Sequence, residues 1–502
     1  MQNTPTLGLR LLADGQSISS TVDEENIVCL AILKILEQAL QTDMQQRQVF
    51  ESILGIYFID LLKFTTNIAL GRSSKLAADR SHLVSTFPWI KKDQTKWPYV
   101  HGLHNYPDFK YGHQFSRTIS TRKKLLAAHA SNLQIKIKRG GSKRFCVTSS
   151  ALSPALLRWS SENEICVDVV EGQNIKFRFR DLNLQISNLS STIEQIANTL
   201  NFPVSQGMLF DIVKRHILAN CEEGEPLDLI QNKIFLVGSG CEIENRLLSS
   251  TARYYDKSVI SVFHGGSYGV QDKPTFSFGE QMLCTHLIVF GKQKFSNKRF
   301  HPTNFGFGQY EKVTPKQGAN KVGIPKITDR LMYVPTSLRG TTKRFGPFED
   351  MSDSVYINVW KLMRQIFGSE LVIKLHPKNT IDCDFDAPLR FEPFESILNE
   401  ADTLIFDYHS TAFNIASGTN KPIVFLDFGL QRFTPSGLAG IKSRSIYFDM
   451  KQAPPQSFHD VIKRADEPKS SAYFVEEFIS STGRPTIDVA TQKMIEFLLQ
   501  EG

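Results

Sequence analysis

The chain is poor in the features that usually betray a chemistry. Seven cysteines are scattered at positions 29, 146, 166, 221, 241, 284 and 383. None has a partner at the close spacing of a zinc or redox pair, and the odd count argues against a disulfide framework. A reducing cytoplasm is the compartment that suits such thiols. No His/Cys/Asp cluster has metal-ligand spacing, so no metal is expected. No GxxxxGK[ST] loop offers to cradle a triphosphate, and no Asp-x-Asp follows an apolar strand in the second half. The opening MQNTPTLGLRLLADG lacks the charged and apolar regions of a signal peptide. The longest apolar run, Ile53 to Leu70, contains Asp60 and Lys63. It reads as a buried amphipathic helix and not as a membrane crossing. Any membrane contact is expected to be peripheral.

Charge is unevenly spread. The net charge is +7, and residues 122–144 hold eight basic residues with no Asp or Glu. A local basic face of this kind suits an anionic membrane, a lipid phosphate or a polyanionic glycan. Its ordinary alternative is a solvated loop and strand. Lys136, Lys138 and Arg139 are the expected acceptor or membrane contacts within it.

At 502 residues the chain exceeds one hydrophobic core and should divide. Residues 24–70 read as helical, because Val28, Ala31, Ile32, Ile35, Leu36 and Ala39 share one face. Residues 71–120 have no clear period. Short strand patterns occupy 132–180, and 190–220 reads as helix. Glu222-Glu223-Gly224 reads as a carboxylate pair at the end of that helix, a solvated terminus before a general base. From 231 onward strands and helices alternate. Lys233 to Val237, Ser258 to Phe263 and Leu287 to Phe290 form one strand series. A polar stretch at 311–328 reads as a linker. Leu331 to Val334, Leu371 to Leu375, Thr403 to Asp407 and Ile423 to Asp427 form a second series. Repeated βα units favour parallel sheets covered on both faces. The expected fold is α/β, with two Rossmann-like domains facing a cleft and an N-terminal helical extension.

Polar runs just past strand ends gather at the carboxyl edge of a parallel sheet, where ligands bind. Lys374-Leu375-His376-Pro377 and Asp407-Tyr408-His409-Ser410-Thr411 each close an apolar strand. Pro335-Thr336-Ser337-Leu338-Arg339-Gly340 closes another, and His264-Gly265-Gly266-Ser267-Tyr268-Gly269 a fourth. Arg339 is suited to a bidentate grip on phosphate. His376 can donate to a phosphate oxygen. Ser410 and Thr411 can cap the helix that follows and offer hydroxyls beside its free N–H groups. Asp407 either touches the ligand or organises the turn. His264, with a pKa near working pH, is a candidate general base.

In this order the motifs resemble the donor half of GT-B glycosyltransferases that use cytidine nucleotides. Two branches match. The CDP-glycerol glycerophosphotransferases are similar at His264-Gly265, at Pro335-Thr336 with Arg339, and at His376-Pro377. They also match at Asp407 with Ser410-Thr411, and at Lys421-Pro422-Ile423. The bacterial sialyltransferases and Kdo transferases, which use CMP-sugars, match at His376-Pro377 and Ser410-Thr411. The chain departs from the first branch where Gly266 replaces a Thr-Pro, and where His409 interrupts a Tyr-Ser-Ser. The resemblance covers residues 231–430.

It implies an acceptor domain at 1–315, a nucleotide-donor domain at 316–480, and a helix at 481–502 packing back on the first domain. It further implies catalytic roles for His264 and His376. The nucleotide would be held by Thr336, Ser337, Arg339, His376, Pro377, Asp407, Ser410 and Thr411. The expected activity moves a sugar or polyol phosphate from a CMP- or CDP-activated donor to a lipid-linked acceptor or a growing bacterial surface polysaccharide, such as capsule or lipopolysaccharide. It would work without cofactor, at the inner face of the plasma membrane, and nucleic acid is not an expected partner. A sugar-nucleotide epimerase on the same fold, or a non-catalytic glycan- or lipid-binding subunit, are the alternatives.

Overall fold

The computed structural model describes residues 126–132, 143–170, 177–180, 221–224, 231–238, 243–262, 269–271, 284–291, 329–335, 353–368, 371–375, 388–428, 433–450, 472–479 and 487–501, with some single positions between them. The 24–70 helix, the 311–328 linker and the Lys136, Lys138 and Arg139 stretch lie outside the described residues.

Two parallel sheets organise the chain, and the α/β expectation holds. The first takes β1 (Arg144–Thr148), β2 (Cys166–Val170), β5 (Ile234–Val237), β6 (Ser258–Val262) and β7 (His286–Ile288), in the order β2-β1-β5-β6-β7. The second takes β8 (Leu331–Val334), β9 (Val372–Lys374), β10 (Leu389–Arg390), β11 (Thr403–Phe406), β12 (Ile423–Asp427) and β13 (Ile446–Asp449), in the order β10-β9-β8-β11-β12-β13. Strands β5, β8, β11 and β12 are buried at every residue. Both faces are therefore covered, as unbroken apolar runs in a parallel sheet require.

One expectation is corrected. Glu222 and Glu223 do not end a helix. They lie on β4 (Cys221–Glu223), which pairs in parallel with β3 (Phe177–Phe179). Arg178 Nε donates to Glu222 Oε1 at 2.7 Å across that pair. A strand of one Cys and two Glu has no apolar run to announce it, so pairing with β3 decides its state.

Both sheets reverse direction. In the first, β2 lies on one side of β1 and β5, β6 and β7 on the other. In the second, β9 and β10 lie on one side of β8 and β11, β12 and β13 on the other. Such a reversal opens a crevice at the carboxyl ends of the two central strands, here β8 and β11.

Helices connect the strands. They are α1 (Pro154–Glu162), α2 (Ile243–Tyr254), α3 (Asp353–Phe367), α4 (Phe394–Ile397), α5 (Thr411–Ser417), α6 (Pro435–Arg444), α7 (Ala472–Phe478) and α8 (Ile487–Glu501). Ser153 and Thr434 cap α1 and α6, each followed by a proline that suits the first helical position. Helix α7 packs on α5 and α6, whereas α8 packs on α1, β5 and β7 of the first sheet. There Ser153 Oγ donates to Asp488 Oδ1 at 2.6 Å. Among the described residues no helix is long and apolar enough to cross a membrane.

Helix α5 is closed by a buried arginine. Arg444 Nε donates to the carbonyl of Ser417, and Nη2 to those of Ala416, Thr419 and Lys421, at 2.9–3.2 Å. A helix end leaves carbonyls without intrahelical donors, and one planar guanidinium meets several of them. Burial pushes the Arg444 pKa down to about 9, so the group stays charged at neutral pH and suits negative carbonyl ends. Arg444→Met should lower stability by about 3 kcal/mol in urea unfolding, because buried carbonyls lose their donors. Arg444→Lys should recover little of it, since one ammonium cannot span the set.

Candidate functional site

The crevice of the second sheet lies where the three motif-bearing strands meet. β9 pairs with β8, and β8 with β11, all in parallel. The carboxyl ends of β9 and β11 therefore stand about 10 Å apart, two strand spacings, with β8 between them. Lys374 ends β9, Pro335 follows β8, and Asp407 follows β11.

The β8–β11 pair is secured at both ends. At the amino end Arg330 grips Asp402 with Nε to Oδ2 and Nη2 to Oδ1, both at 2.9 Å. That bidentate contact and the Arg330 backbone N–H hold the Asp402 carboxyl well below the usual carboxylate range. Thr403 Oγ1 adds a 2.5 Å bond to Asp329 Oδ2. At the carboxyl end the fully buried Tyr333 donates its hydroxyl to Asp407 Oδ2 at 2.5 Å. Asp407 is itself buried, so this carboxylate oxygen is engaged by β8.

His409 faces inward. Its ring lies 5.3 Å from Phe413 and 5.9 Å from Phe474, within the aromatic core of the second sheet. Its Nε2 pairs with Asn414 Oδ1 at 2.8 Å. An amide oxygen only accepts, so Nε2 carries the proton. The histidine that interrupts the expected Tyr-Ser-Ser thus joins the loop to the first turn of α5.

Ser410 occupies the N-cap of α5 with extended backbone, yet its hydroxyl makes no cap hydrogen bond. The expected cap is thus not used, and the hydroxyl is not spent on the helix. Ser410 is half-buried and Thr411 exposed, directly beyond the buried Asp407 to His409 stretch. Lys421, part of the resemblance, sits at the opposite edge of the sheet, where its amine donates to the Ala401 carbonyl at 2.6 Å. His264, Thr336, Ser337, Arg339, His376 and Pro377 lie outside the described residues.

Sequence reasoning missed the partners of this loop. Tyr333 reads as one more apolar strand residue, and Gln431, which pairs with the His409 backbone, belongs to no motif. Asp427 carried the same signal as Asp407, a polar residue closing a buried strand. It accepts from Tyr447 at 2.5 Å, and burial beside that carboxylate drives the phenol pKa far up. Lys442 stands 4.9 Å over the Tyr447 ring.

Lys374 is buried at the end of β9, where its amine donates to the Leu375 carbonyl. Loss of water lowers its pKa from 10.5, and Glu392 and Glu395 offset part of the fall. Between the lowered folded value and 10.5 the unfolded chain holds a proton that the folded chain has released. Stability should therefore rise with pH through that window. Lys374→Met should abolish the rise, as read from urea midpoints across the alkaline range. Tyr333→Phe, which strips a buried carboxylate of its donor, should cost about 2 kcal/mol in the same assay.

No family model and no curated relative matches the chain. Among solved structures, the glycosyltransferase SnogD from Streptomyces nogalater is 9% identical with a TM-score of 0.35, over 71% of this chain and all of that one. Spinosyn forosaminyltransferase SpnP is 9% identical with a TM-score of 0.33, over 71% of this chain and all of that one. The glycotransferase of kitacinnamycin is 10% identical with a TM-score of 0.29, over 72% of this chain and 94% of that one.

Proposed function

We propose that the chain is a GT-B-type transferase that moves a sugar or polyol phosphate from a CMP- or CDP-activated donor to a glycan or lipid-linked acceptor. The supporting observation is the reversal of the second sheet between β8 and β11. It brings the strands that end in the Pro335, Lys374 and Asp407 runs side by side, at the place where α/β sheets bind ligands.

In this reading the donor phosphate meets the hydroxyls of Ser410 and Thr411, with His376 and Arg339 supplying charged donors. The acceptor hydroxyl loses its proton to His264 or a nearby carboxylate. Its oxygen attacks the activated carbon, or the phosphorus of a polyol phosphate. The bond to the leaving nucleotide breaks, and the negative charge that develops on its phosphate is met by prepositioned donors. The acceptor would lie toward the first sheet, with Lys136, Lys138 and Arg139 drawing in an anionic carrier or membrane surface.

A thermal-shift screen of CMP, CDP, UDP and GDP tests the reading. CMP or CDP should raise the unfolding temperature, since at 100 times Kd a ligand adds about 2.7 kcal/mol to the native state. Stabilisation by UDP or GDP alone would reject the cytidylate assignment, and a flat response to all of them would reject the site. In the variant His376→Ala, release of CMP from a cognate donor should slow about 10²-fold.

A further inference from the structure

Between β6 and β7 the chain leaves the first sheet and reaches the second. Val270 is wholly buried in the second sheet's apolar core, with Phe413, Phe425 and Phe474 among its members. Gln271 forms an antiparallel bridge with Phe433. Thr434 donates its backbone N–H to the Val270 carbonyl at 3.0 Å and its hydroxyl to the Gly269 carbonyl at 2.7 Å. The fit is close enough to demand glycine on the other side, because a Cβ on Gly437 would lie 2.2 Å from the Val270 oxygen.

The strap ends in a side chain aimed at the candidate site. Gln271 is 3% exposed, and its Nε2 donates to the His409 carbonyl at 2.8 Å. Gln431 grips the same residue from the second sheet. It accepts the His409 N–H at 2.5 Å and donates to the His409 carbonyl at 2.9 Å. One backbone carbonyl thus receives two amide donors, from parts of the chain 160 residues apart. The next residue is Ser410.

We infer that Gln271 is a positioning residue, which sets the Ser410-Thr411 hydroxyls for a nucleotide phosphate from within the first sheet's β6–β7 crossover. The inference rests on the reading that these hydroxyls meet phosphate. Gln431 alone fixes the His409 peptide within the second sheet. The Gln271 bond adds a condition, that the strap be seated. Phosphate binding and strap seating are then linked, each favouring the other by the same factor.

The test uses the full chain with Gln271→Met, which keeps length and packing but has no donor. Gln271→Leu, likewise without a donor, serves as a second variant should the first misfold. Hydrogen exchange in residues 409–417 should quicken about tenfold, the worth of one buried hydrogen bond, while β12 keeps its protection. CMP affinity should fall by a similar factor. Unchanged exchange at 409–417, or equal acceleration throughout the second sheet, would overturn the inference. So would faster local exchange with undiminished CMP affinity. If the unmodified protein ignores CMP, the proposed function fails separately, and the exchange pattern alone then decides whether Gln271 sets the loop.

Discussion

The pairing of β8 with β11 is the contact on which the rest of the structure depends. Among the described residues it is the pair at which the strand order of the second sheet reverses. A slip of one residue would turn every side chain of either strand to the other face. It would also part Tyr333 from Asp407 and Arg330 from Asp402. The pair is therefore held by two different devices. An exposed bidentate ion pair marks the amino end, where screening makes it modest in energy but definite in geometry. A buried phenol–carboxylate bond marks the carboxyl end, where an unpaired oxygen would be costly. The crevice opens beside the stronger of the two.

The two sheets are interlocked. The strap at 269–271 lends Val270 to the second core, and Gly291, just past β7 with φ of +64°, lies on α7. A Cβ on Gly291 would fall 2.1 Å from the Glu477 carbonyl oxygen. Helix α8 returns to the first sheet. Motion of one sheet against the other must therefore carry the strap along or break its bonds to Thr434 and expose Val270. Seating the strap fixes its backbone, at about 1–2 kcal/mol per residue, a cost offset by the burial of Val270 and the bonds to Thr434. The one long side chain that commits rotamer entropy is Gln271. That entropy is spent on the loop that carries Ser410 and Thr411.

The strands of the two main series were legible because each is a short, unbroken apolar run, the signature of burial on both faces. The carboxyl-edge runs were legible for the same reason, since a polar residue that closes such a strand has nowhere to go but the edge. What escaped includes β4, whose acidic residues are defined as strand only by their partner β3, and the outer strands β10 and β13 of the second sheet, which are short and stop at a charged residue. Gln271 and Gln431 are uncharged and belong to no period, and their importance comes from contacts 138 and 22 residues away. His409 stood in the motif but read as an interruption. Its role as a buried strut shows only once Phe413 and Phe474 are seen around it.

The loop itself can be read by elimination. Of its side chains, Asp407 is tied to Tyr333, and His409 is tied to Asn414 and enclosed by phenylalanines. Tyr408 is buried as well. The polar side chains that reach toward solvent are the hydroxyls of Ser410 and Thr411. A ligand held here would meet neutral side-chain donors on this loop. Hydroxyls fit a phosphate oxygen without the desolvation cost that a buried cation would add. Under the proposed function, these neutral hydroxyls on β11's loop would act together with cations from the runs that follow β8 and β9, Arg339 and His376. The position of those hydroxyls follows from the His409 peptide before them, which Gln271 and Gln431 hold from two sides.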